Sequence, residues 1–128
     1  MIKFEFEAIG THWVIDIKED LSKDREDSLY RKIMERIEVF DKDYSRFRSD
    51  SLVTKISIEG GTYEMPDDFE KMWEIYIKAY EITTGLVTPL IGQVLVDSGY
   101  DAHYSLIKKD ILPKVLPLEG KVEWNKPR

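Results

Sequence analysis

Apolar and polar residues alternate along the start of the chain, in two runs separated by Ile9-Gly10. A period of two is typical of a strand with one buried face. Glycine between two such runs favours a tight turn. The alternating positions on one face are Ile2, Phe4, Phe6 and Ala8, followed by Thr11, Trp13, Ile15 and Ile17. We therefore predict an antiparallel hairpin over residues 2–18 that turns near Gly10.

Four later segments have the periodicity or the capping signals of helices. In the longer ones, apolar residues recur every three or four positions, which is the repeat of a helix with one buried face. Serine, threonine and aspartate favour helix starts, and glycine favours helix stops. The predicted helices run from about Arg25 to Asp43, from Asp50 or Ser51 to Ile56, from Asp67 to Gly85, and from Pro89 to about Ser98.

Two short stretches resemble further strands. Gly60-Gly61 predicts a turn into a short strand that ends at Tyr63, and residues 122–124 predict the start of another. The aromatic residues of the third helix recur at helical spacing and indicate a core: Phe69, Trp73, Tyr76 and Tyr80. We expect an α/β (α+β) fold, in which an antiparallel N-terminal hairpin and about three helices form a single domain over residues 1–128, with the helices packed on a small sheet.

Composition then narrows the classes of function. The chain is 42% hydrophobic and 34% charged, which is ordinary for a soluble globular protein. Its net charge of −6 argues against a nucleic-acid partner. Cysteine is absent, which excludes disulfides and thiolate metal sites, and His12 and His103 make a poor metal motif. Because neither a signal peptide nor a long apolar run is visible, we expect no membrane span and a cytoplasmic location.

The segment Thr83–Gly92 is the first candidate for binding chemistry. Gly85 favours the end of one helix, and Thr88-Pro89 favours the start of the next. Unpaired N–H groups at a helix start attract anions. A phosphate-bearing cofactor is therefore one plausible ligand for this segment.

The loop Tyr44–Ser51 is the second candidate. It places two arginines and several hydroxyl groups around Phe47. Such donors suit a phosphate or a ribose. The same residues suit a polar loop that Asp50 or Ser51 caps, and spacing alone does not separate these two interpretations.

Three segments, in this order along the chain, follow the motifs of one family. Ile9-Gly10-Thr11 is similar to a Met-Gly-Thr motif that follows a strand, and Ser45–Ser51 is similar to Ser-x-Tyr/Phe-Arg-x-Asp-Ser. Thr84–Pro89, with Gly92 and Gly99-Tyr100-Asp101, is similar to Thr-Gly-Gly-Ala-Phe-Asp-Pro-Thr-Val-Gly and a later Gly-Tyr/Phe. Together these segments resemble the FAD:protein FMN transferase (ApbE-type) family.

The resemblance implies an activity and a set of contacts. Family members transfer FMN from FAD to a threonine of a target protein, and Mg²⁺ assists the attack on the pyrophosphate. The cofactor contacts that it implies are Ile9, Gly10, Thr11, Phe47, Arg48, Leu86, Val87 and Thr88. Among them, Arg48 would approach a phosphate. The resemblance implies no catalytic residue and no metal ligand here, since the family's metal ligands would follow after about Trp124.

The chain also departs from the family pattern. Ile9 replaces a methionine, Thr88 an aspartate and Leu90 a threonine. The Asp-Leu-Gly-Gly and Lys-Gly segments of the family have no counterpart, so we expect an ApbE-like half-fold. This would be the N-terminal portion of a longer transferase, inactive alone, in a family whose members are often exported. The expected partners are FAD and a protein with an acceptor threonine.

Two other interpretations stay open. The chain could be a non-catalytic module that binds a flavin or a partner protein. It could also be a structural protein that forms a homodimer through an open sheet edge, or that joins a complementary chain. Metal-independent binding of FAD would favour the first of these, and a tight dimer without FAD binding would favour the second.

Overall fold

The N-terminal hairpin forms as the alternating pattern predicts. Strand β1 (Ile2–Ala8) pairs antiparallel with strand β2 (Thr11–Ile17). The two loop residues, Ile9 and Gly10, have φ angles of 52° and 68°. Two consecutive positive φ values are typical of a type I′ turn, whose twist matches that of the flanking strands. The prediction of a hairpin that turns near Gly10 is confirmed.

Four α-helices follow the hairpin within residues 1–125, the part of the chain that this computed structural model describes. They are α1 (Lys23–Tyr44), α2 (Leu52–Glu59), α3 (Phe69–Ile82) and α4 (Gly92–Asp97), with a 3-10 turn at Pro89–Ile91. A two-stranded sheet with four helices confirms the mixed α+β class. None of the helices in this range is long and apolar enough to cross a membrane.

The chain divides into two units, Met1–Gly61 and Thr62–Arg128. The first unit is built on the contact between the hairpin and α1. Phe4 is 6% exposed, and its ring lies 5.4 Å from that of Tyr30 on α1. Phe6 also contacts Tyr30, at 6.1 Å. Helix α1 thus packs on β1, and α2 in turn packs on α1. The single domain expected over the whole chain stays a prediction.

Helix α2 begins where the sequence predicts and ends later. The Ser51 hydroxyl accepts a hydrogen bond from the backbone N–H of Thr54 at 3.1 Å, so Ser51 is the cap. The helix continues to Glu59 and closes at Gly60, where φ is 60°. The short strand predicted before Tyr63 was wrong: helical hydrogen bonding extends to Gly60, whose N–H donates to Ile56.

Helix α3 is the first element of the second unit. It begins at Phe69, two residues beyond the start predicted at Asp67, and the N–H of Phe69 donates to the Pro66 carbonyl. It ends at Ile82, and the N–H of Gly85 reaches back to the Tyr80 carbonyl at 2.8 Å. This contact closes the last turn, as a glycine stop predicts.

The aromatic face of α3 is only partly covered. The Phe69 ring stacks on Trp73 at 5.9 Å and meets Trp124 edge-on at 5.0 Å, whereas Tyr76 is 42% exposed. No residue of α3 is fully buried. The strand predicted over residues 122–124 was wrong, since these residues have no regular secondary structure and contribute a ring to Phe69 instead.

The helix predicted from Pro89 to about Ser98 forms as two consecutive pieces, the 3-10 turn Pro89–Ile91 and α4. The Thr88 hydroxyl accepts from the N–H of Leu90 at 3.2 Å and caps the 3-10 turn that leads into α4. The helix stops at Asp97, ahead of Gly99 with a φ of 94°. A Cβ atom at Gly99 would lie 2.6 Å from the backbone of Leu106 and Ile107. Glycine is therefore required there for two separate reasons.

Two glycine substitutions test this account, because they should change the free energy of unfolding in opposite directions. Gly99→Ala should lower the free energy of unfolding by at least about 2 kcal/mol, because the positive φ and the overlap both oppose a methyl group. Gly92→Ala should raise it by up to about 1 kcal/mol, since Gly92 has helical φ and ψ angles and open space around it. Denaturant titrations followed by circular dichroism measure both, and equal effects would contradict the role assigned to Gly99.

Candidate functional site

The first of the three candidate segments lies at the tip of the hairpin. Ile9 is 44% exposed there, and Thr11 opens β2 opposite Ala8. The indole N–H of Trp13 donates to the Ala8 carbonyl at 3.0 Å, beside the turn. The turn therefore presents one apolar side chain, Ile9, and the backbone of Gly10 on a well-defined loop.

The second segment joins α1 to α2 and is fixed by its own side chains. The Ser45 hydroxyl accepts from the N–H of Phe47 at 3.3 Å. The Arg46 guanidinium lies 4.1 Å from the centre of the Phe47 ring, which is a cation–π contact. One face of Phe47 is thus covered by Arg46, and Phe47 itself is half-buried.

Arg48, the residue expected to approach a phosphate, is engaged by three carboxylates. Its Nε and Nη2 donate to the two carboxylate oxygens of Asp50 at 2.9 and 3.0 Å. Its Nη1 lies 2.8 Å from Glu38 and 3.4 Å from Asp41, both on α1. The bidentate pair lowers the pKa of Asp50, and the surrounding carboxylates raise the pKa of Arg48 further above its usual value.

This arrangement does not fit a phosphate at Arg48. The guanidinium and its three partners carry a formal charge of −2 together, so an incoming anion would be repelled and would have to displace existing partners. Arg48 instead connects the last turns of α1 to the residue that precedes the Ser51 cap. For Arg48, the geometry favours the structural interpretation of the loop over the phosphate-binding one.

The third segment connects α3 to α4 in the second unit. Leu86 is 87% exposed, Val87 is 42% exposed and Thr88 is buried. The Thr83 hydroxyl donates to the Ala79 carbonyl and accepts from the N–H of Val87 at 3.0 Å. With Thr88 acting as the cap of the following turn, the loop holds two apolar side chains toward solvent on a backbone fixed at both ends.

The eight candidate contacts thus fall into two groups. Five lie in the first unit, at the hairpin tip and in the α1–α2 loop: Ile9, Gly10, Thr11, Phe47 and Arg48. Three lie in the second unit: Leu86, Val87 and Thr88. Ile9 in the first unit and Leu86 and Val87 in the second have exposed apolar side chains, whereas Arg48 is already paired with three carboxylates.

No family model, no curated protein and no solved structure matches the chain. Membership of the flavin transferase family therefore stays a hypothesis that rests on the three sequence segments. Its implications for activity, FAD and an acceptor protein are treated below as proposals.

Several acidic side chains in the described range form ion pairs with basic side chains. Within residues 1–125, no group of three or more His, Asp or Glu side chains is placed to hold a metal ion. His12 lies between Glu5 and Glu7 of β1, at 3.2 and 2.8 Å. His103 is exposed in the loop after α4.

Sequence reasoning missed the partners that hold the loops in place. Glu38 and Asp41 lie on α1, and no local pattern connects them with Arg48. Asp97 is 7% exposed and is paired with Lys109, and this pairing lowers the pKa of Asp97.

Replacing Arg48 tests its structural role through pH. The pKa of Asp50 is lowered in the folded chain by its pairing with Arg48. The pairing therefore stabilises the folded chain fully at pH values above the unfolded Asp pKa of about 3.9. This stabilisation is lost as the pH falls through the lower pKa of the folded chain. Arg48→Met should therefore lower the melting temperature clearly at pH 7, and the gap from the unmodified chain should narrow in acid.

The matched control is Lys23→Met at the start of α1. Lys23 pairs with Asp27 at 3.1 Å, but its side chain is 73% exposed, compared with 27% for Arg48. Exposed pairs contribute little to stability, so this variant should melt close to the unmodified chain. Equal losses for the two variants, or a gap for Arg48→Met that does not change with pH, would contradict the assigned role.

Proposed function

We propose that this chain carries part of the FAD-binding surface of a flavin transferase, one that moves FMN from FAD to a threonine of a target protein. The observation that carries the proposal is the occurrence of three family-like segments in family order, at Ile9-Gly10-Thr11, Ser45–Ser51 and Thr84–Pro89. No one of these segments would be sufficient, since each is short and also has a structural role of its own.

The geometry of the α3–α4 loop supports the flavin part of the proposal. Leu86 and Val87 project from a loop that the hydroxyls of Thr83 and Thr88 hold at both ends. A rigid loop with exposed apolar side chains can contact an apolar ring without a further ordering cost. In this proposal Thr88 acts on the loop, as a cap, while Leu86 and Val87 provide the contact area.

The chemistry of transfer would come from Mg²⁺ bound to the complete family enzyme, where the ion offsets negative charge on the pyrophosphate. The family's segments for that ion have no counterpart in these 128 residues. This chain would therefore provide contacts to FAD and not the reacting groups. The acceptor threonine would belong to another protein.

A non-catalytic binding module is the second candidate function. It is favoured by the engagement of Arg48 with three carboxylates, which leaves the second segment without the phosphate contact that the resemblance implies. In such a module, flavin binding through apolar contacts would persist without any dependence on Mg²⁺.

Binding of FAD tests both candidates at once. FAD fluorescence or calorimetry should detect binding, and Leu86→Ala should weaken it about five-fold, as loss of roughly 1 kcal/mol of apolar contact predicts. Ile75→Ala removes apolar area from another exposed position, on α3, where Ile75 is 69% exposed against 87% for Leu86, and it should leave FAD affinity unchanged. Absence of FAD binding, or equal weakening by both variants, would reject a flavin contact at Leu86.

Measurement of FAD turnover tests whether the chain is itself an active enzyme, which neither candidate function predicts. The 128-residue chain, incubated with FAD and Mg²⁺, should release neither AMP nor FMN and should attach no FMN to threonine. Chromatography of the nucleotides and mass spectrometry of added protein measure these products. Robust Mg²⁺-dependent release of AMP would show that this chain contains its own catalytic groups.

A further inference from the structure

The second unit contains an open groove of about 590 Å³ beside α3. Its volume lies within the range of small-molecule sites, about 300–1,000 Å³. Trp73, Tyr80 and Glu81 line one side, and Leu118 and Glu119 line the other. All of its lining residues belong to the second unit, so the groove is a property of that unit alone.

Hydrogen bonds through the Tyr80 hydroxyl hold the two sides of the groove together. The hydroxyl donates to the carboxylate of Glu119 at 3.2 Å and accepts from the N–H of Leu118 at 3.4 Å. Leu118 is 5% exposed and anchors this segment. The position of Glu119 at the groove is therefore set by its hydrogen bond with Tyr80, which lies 39 residues earlier in the sequence.

Gly85 shapes one end of the groove. Its φ is 84°, and a Cβ atom there would lie 3.3 Å from the ring of Tyr80. The absence of a side chain lets the backbone approach the ring edge and leaves the ring available to the groove. Gly85 thus both ends α3 and contributes to the shape of the groove.

The chemistry of the lining selects one class of occupant. Two aromatic residues, Trp73 and Tyr80, and two acidic residues, Glu81 and Glu119, line the same open groove. None of the described residues that line the groove is basic. Aromatic faces and carboxylates both attract cations, and apolar walls favour a ligand with a hydrocarbon part. The same charges repel phosphates, so this groove does not suit the diphosphate of FAD.

We propose that the groove binds a small organic ammonium ion that carries an aromatic or aliphatic body. The body lies against Trp73 and Leu118, and the ammonium group lies toward Glu81 and Glu119. The proposal goes beyond the flavin function and does not depend on it, because the residues that line the groove exclude the proposed flavin contacts Leu86 and Val87.

Benzyltrimethylammonium is a suitable probe, with benzyl alcohol as a neutral comparison and benzoate as an anionic one. The binding signal is the NMR shift of the Trp73 indole N–H, assigned through a Trp73→Phe variant. The cation should bind about ten-fold more tightly than the alcohol, as cation–π and ion-pair contacts predict, and benzoate should not bind. Equal binding of cation and alcohol, or no binding of the cation, would overturn the proposal.

Carboxylate variants locate the site. Glu119→Gln and Glu81→Gln should each weaken binding of the cation about three-fold, in line with partly exposed ion pairs. Asp110→Asn makes the same change of charge at an exposed position of the same unit that does not line the groove, and it should have no effect. Equal weakening by Asp110→Asn would mean that net charge, and not this groove, attracts the probe.

Tyr80→Phe tests the role of the Tyr80 hydroxyl separately from that of the ring. The ring remains, so cation–π attraction persists, but the link to Leu118 and Glu119 is lost. Binding should weaken about as much as in Glu119→Gln, while the helical signal of the whole chain in circular dichroism stays unchanged. Because FAD binding is measured with Leu86→Ala, failure of one proposal is distinguishable from failure of the other.

Discussion

The contact of Phe4 and Phe6 with Tyr30 is the interaction on which the first unit depends. It joins the two-stranded hairpin to α1, and α2 packs on α1 in turn. Within the described residues, only Phe4 and Leu118 are buried apolar side chains, one in each unit. A two-stranded sheet cannot cover a 22-residue helix, so much of the apolar surface stays partly exposed.

Polar groups at helix ends therefore define the loops to an unusual degree. Ser51, Thr88 and Asp97 are the buried polar side chains of the described range, and each lies at or beside the end of a helix. The Arg48 cluster has a similar place between α1 and α2. Because these groups bond within a few residues or across one loop, they fix loop shape locally without a large hydrophobic core.

This construction bears directly on function. The segments that resemble a flavin transferase are also the segments in which caps and ion pairs set the local backbone. Arg48 and Thr88 already have structural partners, so the proposed contact with FAD depends on the exposed apolar side chains of Leu86 and Val87. The acidic groove at Tyr80 and Glu119 has the opposite charge preference, and neither Leu86 nor Val87 is among the residues that line it.

Local physics explains what the sequence alone determined. Alternation over the first 18 residues, Gly10 at a two-residue turn, Ser51 and Thr88 as caps, and Gly85 and Gly99 as stops all depend on neighbours within about five residues. The start of α2, the approximate boundaries of α1 and of the last helix, and the α+β class could therefore be predicted, whereas the end of α2 was placed too early. The strands expected near residues 58–63 and 122–124 could not be judged in this way, because a strand exists only if a partner lies beside it.

Tertiary structure decided the rest. The capture of Arg48 by Glu38 and Asp41, the pairing of Asp97 with Lys109, and the link from Tyr80 to Glu119 join residues between 7 and 39 positions apart. No periodicity or motif encodes such contacts, since they depend on how the chain returns after each loop. For that reason the sequence could name Arg48 as a candidate ligand for phosphate, and only the folded chain could reveal that its donors are already occupied.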